Sequence, residues 1–206
     1  MTPAGRVIAA AVVTAWLAAG CSTSGPHTTN PRPPSLAVTT ATPGDTPPPY
    51  NRDQDFGKGW ATVHGHCDTR EAVLERDAAL NAVDTDGDGC KDDGPIIDLY
   101  TGNTILPTQA QIDHVYSLRQ AWAGGAWKWS AVQRRIFALD MGNLRAVTSA
   151  VNDRKGDLGP SQWRPPARSG WCGYQMIFRA TAVRWSLPIT PADDTALRDM
   201  AGTCPK

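Results

Sequence analysis

The sequence predicts an α+β fold: a helix-rich single domain built around a small centre of two strands and one helix. Three observations carry this. Apolar residues recur at helical spacing on both sides of a central stretch. The stretch itself holds two short strand-like runs. A short segment with helix start and stop signals follows the second run directly.

Taken in order, residues 69–83 set Val73, Leu74, Ala78 and Leu80 on one helical face. Gln111-Ile112-Asp113-His114-Val115 places Ile112 and Val115 around a polar pair, as in a strand that ends by presenting polar side chains. Residues 118–123 and 130–139 read as helices inserted before the second strand, Asn143-Leu144-Arg145-Ala146-Val147-Thr148. Ser149 is a candidate N-cap and Gly156 a stop signal for a helix over 149–156. Residues 174–185 repeat apolar side chains at helical spacing, and Thr190-Pro191 opens a last helix with a cap and a first-turn proline.

The N-terminal residues predict export. An apolar run over 7–19 follows Arg6 and is too short to span a bilayer as a helix; it leads to Leu17-Ala18-Ala19-Gly20-Cys21. Residues 1–20 thus read as a lipoprotein signal peptide, with Cys21 carrying the lipid that tethers the chain to the extracytoplasmic face of a bacterial membrane. The alternative is an ordinary secretory signal with an incidental cysteine. Residues 21–50 are rich in Pro, Thr and Ser, the composition of an extended stalk. The folded domain is expected over 51–206, about 150 residues and enough for one core. No internal repeat, long heptad pattern or second apolar run of membrane length is present.

The four cysteines beyond Cys21 form an even set with three connectivities. Cys67–Cys90 and Cys172–Cys204 are favoured, since each closes a loop within one structural segment with the central stretch between them. Zinc bound by His64, His66 and Cys67 is the alternative, although no Cys-x-x-Cys spacing supports it. Asp84-Thr85-Asp86-Gly87-Asp88-Gly89 resembles the start of a calcium loop, but Pro95 stands where an EF-hand needs glutamate, so an acidic turn is expected.

The central stretch carries the chemistry. Asp113, His114, Asn143, Asn152 and Lys155 combine a carboxylate and amides for a hard divalent cation, an imidazole to activate water and a cation for phosphate. These are the parts of a one-metal phosphodiester-cleaving site. On these residues the chain resembles the HNH endonucleases with a ββα-metal core, most closely a secreted branch related to the C-terminal domain of GmrSD-type restriction enzymes. The resemblance covers most of 51–206. It includes Cys67-Asp68-Thr69-Arg70, the Tyr100-Thr101-Gly102 turn, Asp113-His114-Val115, Gly142-Asn143-Leu144, Asn152 with Lys155-Gly156-Asp157, and Trp163-Arg164-Pro165-Pro166. The chain departs from the family at Tyr116-Ser117, where many relatives have a small apolar residue and then proline or alanine. It also has Asn152 at the last HNH position in place of histidine.

The resemblance implies a catalytic core over about 110–166 with His114 as general base. Asp113 and Asn152 would be ligands of one divalent ion, Mg first, with Mn or Zn as alternatives. Asn143 would brace the two strands, and Lys155 or Arg154 would meet a phosphate. Arg70, Arg119 and Arg145 are further basic residues that could line the cleft. Twenty acidic and twenty basic residues argue against strong adhesion to long duplexes, so contact with nucleic acid should be local and salt-sensitive. The expected partners are nucleic acid, DNA before RNA, and the membrane through Cys21, with the protein a monomer and no protein partner. A catalytically silent cell-envelope binding module on the same fold is the competing function.

Overall fold

The computed structural model describes residues 45–205. The signal peptide expected over 1–20, the lipidation expected at Cys21 and most of the stalk expected over 21–50 lie outside the described residues. In chain order, α1 (Arg52–Phe56) precedes a short antiparallel hairpin of β1 (Thr62–His64) and β2 (Cys67–Asp68). Helix α2 (Thr69–Ala78) follows, then a second hairpin of β3 (Ile96–Ile97) and β4 (Thr104–Ile105). The central unit begins with β5 (Ala110–His114). After α3 (Leu118–Ala123) and α4 (Ala131–Ala138) the chain returns as β6 (Leu144–Thr148), which runs straight into α5 (Ser149–Lys155). Helices α6 (Trp171–Trp185) and α7 (Pro191–Ala201) complete the described fold, which is α+β and helix-rich.

Local sequence explains most boundaries. Asp68 and Glu71 form a reciprocal capping box at α2, as do Ser117 with Gln120 at α3 and Ser130 with Gln133 at α4. Thr190 accepts from the Asp193 amide and Pro191 takes the first position of α7. Two expectations differ from what forms. The helix expected over 69–83 stops at Ala78, because Ala79 turns to a positive φ of 51° and Leu80 is thrown out fully exposed. Ser149 is the first helical residue of α5 and not its cap. Its hydroxyl is bonded to the Gln109 carbonyl, while that of Thr148, the residue at the cap position, is held by Asp98.

β5 and β6 pair antiparallel in register, Asp113 opposite Arg145 and His114 opposite Leu144. Side chains alternate across the strands, so the hairpin is packed on both faces. Ala110, Ile112, Leu144 and Ala146 join Val73, Leu74 and Ala78 of α2 in a small aliphatic core. Val147, with Val115 just beyond β5, joins a larger, aromatic core that includes Trp122, Phe137, Tyr174, Phe178 and Trp185. The free edge of β6 is covered by α2: Asp77 accepts from the Ala146 amide at 2.8 Å, and Arg76 donates to the Met141 and Leu144 carbonyls.

The disulfides are Cys67–Cys90 and Cys172–Cys204, one of the three connectivities open to the sequence. The first ties β2 to the acidic turn and the second ties α6 to the segment after α7. Bonding Cys67 to Cys90 withdraws the thiolate that zinc would need, which removes the zinc reading with His64 and His66. In the acidic turn, Asp84 accepts from the Gly87 and Gly89 amides, and Asp93 from Thr85. Reducing both bridges should cost about 2–5 kcal/mol each. A thermal melt with and without reductant is the check, and an unchanged midpoint would show that neither bridge contributes.

Candidate active site

The two strands and α5 bring the sequence-predicted residues to one end of the hairpin. Asp113, His114 and Asn152 line one cleft of about 470 Å³, together with Tyr50, Arg52, Gln111, Asp153 and Asp157. Asn143 and Lys155 stand behind this lining and are fully buried.

Asn143 continues the ladder where the backbone pairing ends. The Val115 amide donates to the Asn143 carbonyl at 2.9 Å. The Asn143 side chain then accepts from the Tyr116 amide at 2.8 Å and donates to the Tyr116 carbonyl at 2.9 Å. One side-chain amide thus stands in for a missing strand residue and holds the chain on the far side of His114. Tyr116 is buried; its ring stacks on Phe178 at 4.6 Å and its hydroxyl donates to the Pro188 carbonyl.

His114 is buried, and its Nε2 lies 2.8 Å from the Ala138 carbonyl. A carbonyl only accepts, so Nε2 carries the proton and Nδ1 is left as the basic nitrogen. Burial pushes the imidazole down to about 4, opposed by the Ala138 bond and the Asp113 charge. It is therefore neutral, and able to accept a proton, at neutral pH.

Asp113 faces the opposite way, into the hairpin's α5 side. Its Oδ1 accepts from Lys155 Nζ at 2.9 Å and its Oδ2 from the Tyr100 hydroxyl. Lys155 also donates to the His114 carbonyl at 2.9 Å. The Lys155 side chain has no exposed surface and that of Asp113 has 6 %. Expected at a phosphate, Lys155 is instead sealed in an ion pair, because the last turn of α5 packs its side chain inward against the carboxylate. Burial, and then the Asp113 charge, push the Tyr100 phenol well above its ordinary range, so it remains the donor.

The expected phosphate residues are dispersed. Arg70 is spent on the Pro107 and Ala110 carbonyls ahead of β5. Arg145 donates to the carbonyls of Met141 and Leu144. Arg154 is exposed on α5 but is not part of the cleft lining. Arg119 stays at the cleft rim, where it pairs with Asp157 at 2.9 Å and covers the Tyr50 ring. The cation that lines the cleft is Arg52, the first residue of α1.

Tyr100, Asp98 and Arg52 join the site without a role expected from the sequence. Asp98 is fully buried and accepts from the Tyr100 amide, the Thr101 hydroxyl and both the amide and hydroxyl of Thr148. It fastens the turn that carries Tyr100 to the junction of β6 and α5. The Asp98-Leu99-Tyr100 spacing, an Asx turn holding an aromatic residue, is a local signal beside the Tyr100-Thr101-Gly102 turn. Nothing local in the sequence marks its partner as Asp113.

The site also suits a hard divalent cation. Asp113 has one donor on each oxygen and retains further lone pairs, about four in all for a carboxylate. Asn152 gives its Nδ2 to Gln111 Oε1 at 2.9 Å, which leaves its carbonyl oxygen as a hard donor. Both residues line the same cleft.

Residues 74–171 match the model for the C-terminal domain of GmrSD restriction endonucleases, a span that holds the whole of β5, β6 and α5. A protein of Arthroderma benhamiae, described as an uncharacterized secreted protein, is 40% identical over 158 residues, which is 75% of this chain and 76% of the relative. No solved structure matches the chain. The chain belongs to one family with that secreted fungal protein, and within it residues 74–171 are similar to the C-terminal domain of GmrSD restriction endonucleases.

Proposed function

We propose that the protein is an exported, metal-dependent endonuclease of the HNH type that hydrolyses nucleic acid phosphodiesters, DNA before RNA. The observation that carries this reading is the pairing within one cleft of a neutral, backbone-anchored imidazole with a carboxylate and an amide oxygen. The match of residues 74–171 to a restriction endonuclease domain supports the same chemistry.

His114 Nδ1 takes a proton from a water that attacks phosphorus, while the Nε2 bond to Ala138 fixes the ring. Asn143 keeps the chain beyond His114 in register with β6. Asp113 and Asn152 would hold one divalent ion, Mg or Mn, which supplies charge neutralisation on the phosphate and on the departing sugar oxygen when bound. Lys155 and Tyr100 hold the Asp113 carboxylate in place, with one donor on each oxygen. Arg52 is the cation that faces the substrate in the cleft, with Arg119 at the rim.

Export is supported by the two disulfides, which suit an oxidising compartment, and by the secreted relative. The Leu17-Ala18-Ala19-Gly20-Cys21 pattern supports a lipid on Cys21 and tethering to the outer face of a bacterial membrane. Among the described residues, no helix is long and apolar enough to cross a membrane.

Metal titrations test the ligand assignment. Asn152→Ala should raise the Mg or Mn concentration needed for half-maximal cleavage about tenfold or more, since lost metal-site groups typically cost that range. Asp113→Asn should do the same. Titration curves that superimpose on wild type in both variants would remove these residues as ligands.

A further inference from the structure

A second cleft of about 360 Å³ adjoins the first and shares Arg52, His114 and Leu118 with it. That volume lies in the range of about 300–1,000 Å³ typical of small-ligand sites. Its other walls include Asp53, Trp60 and Arg135. Trp60 backs onto the aliphatic core and sets its ring nearly parallel to that of His114, at 21° and 6.3 Å between centroids. Arg135 reaches over from α4 and donates to the Gly59 carbonyl at 3.0 Å, which fixes its guanidinium against the loop that carries Trp60. Gly57, at a φ of 84°, permits this approach: a Cβ there would stand 3.1 Å from Arg135 Cδ. The carboxylate of Asp53 is offset by Lys58, 3.6 Å away. Two guanidiniums and an indole therefore converge on a pocket whose inner end is the imidazole of the catalytic cleft.

Positive forks suit phosphate oxygens, and an indole face suits a nucleobase. In a duplex both faces of each base are already stacked, so an indole can receive only an unpaired base. The equal numbers of acidic and basic residues argue against the long phosphate track that duplex binding uses. Resting on the nuclease reading, we propose that this second cleft is a subsite for the unpaired nucleotide beside the scissile phosphate. Its base stacks on Trp60 and its phosphate meets Arg52 and Arg135, so the protein selects single-stranded nucleic acid over duplex.

The test measures binding without cleavage. Full-length protein in EDTA is titrated into fluorescein-labelled eight-nucleotide DNA and RNA, each as a single strand and as a duplex, and followed by anisotropy. Wild type should bind the single strand about tenfold more tightly than the duplex, and Trp60→Ala should lose about that factor, in line with base–aromatic stacking. Trp60→Phe should retain most of the affinity. Arg52→Ala, on an exposed helix, should lower the slope of log affinity against log salt by about one phosphate contact. Equal binding of strand and duplex by wild type would overturn the subsite. So would an unchanged strand affinity in natively melting Trp60→Ala. If Trp60→Ala does not fold, an Arg52→Ala variant with wild-type affinity and salt slope overturns it. Strand-selective binding without cleavage in Mg or Mn would overturn the nuclease, and with it a position beside a scissile phosphate, and leave the cleft as a single-strand binding site. Cleavage with no strand preference would do the reverse.

Discussion

Lys155→Met is expected to lower the unfolding free energy by about 3–5 kcal/mol, the usual cost of stripping one partner from a buried ion pair. The substitution leaves the Asp113 carboxylate, with 6 % of its side chain exposed, to the Tyr100 hydroxyl alone and removes the Lys155 donor from the His114 carbonyl. Against a typical total of about 5–15 kcal/mol, the loss is large enough to unfold a marginal domain. A urea denaturation series reads it directly. The double variant Asp113→Asn with Lys155→Met should recover much of the stability, because no buried charge then remains unpaired. A single variant as stable as wild type would show that the ion pair is not sealed from water as the structure has it.

His114→Ala is expected to reduce cleavage about a hundredfold or more, within the usual contribution of a general base. Because the neighbouring Asn143 bracing is made by other groups, the fold should survive loss of the Ala138 bond, and circular dichroism with a thermal melt verifies that. His114→Gln is the companion, since it fills more of the ring's volume but supplies no basic nitrogen. A folded variant that cuts at the wild-type rate removes His114 from the chemistry.

The central hairpin and helix were legible because their signals are local. Strand alternation around Asp113-His114, the run 143–148 and the stop at Gly156 each depend on neighbouring residues only. Even there the helix expected over 69–83 ends early, at Ala78, since the apolar pattern does not reveal that Ala79 breaks the backbone path and exposes Leu80. Short elements such as α1, β3 and β4 carry too few residues to show a period. The position of Lys155 differs from expectation for another reason. A lysine three residues after Asn152 looks like a solvent-facing cation, and only the packing of α5 on β5 turns it toward Asp113. Tyr100, Arg52, Trp60 and Arg135 reach the site across 13 or more residues of chain, so tertiary contact alone assembles them.

Cleavage of a supercoiled plasmid and of an end-labelled single-stranded oligonucleotide by the purified protein, with Mg, with Mn and with EDTA, is the most direct measurement. The expected result is nicking and internal cuts in the single strand with either ion, loss of both in EDTA, and loss of both in a folded His114→Ala protein. Intact plasmid and intact oligonucleotide under all conditions, with the wild-type protein shown to be folded and oxidised, would contradict the nuclease reading and favour a catalytically silent binding module on the same fold.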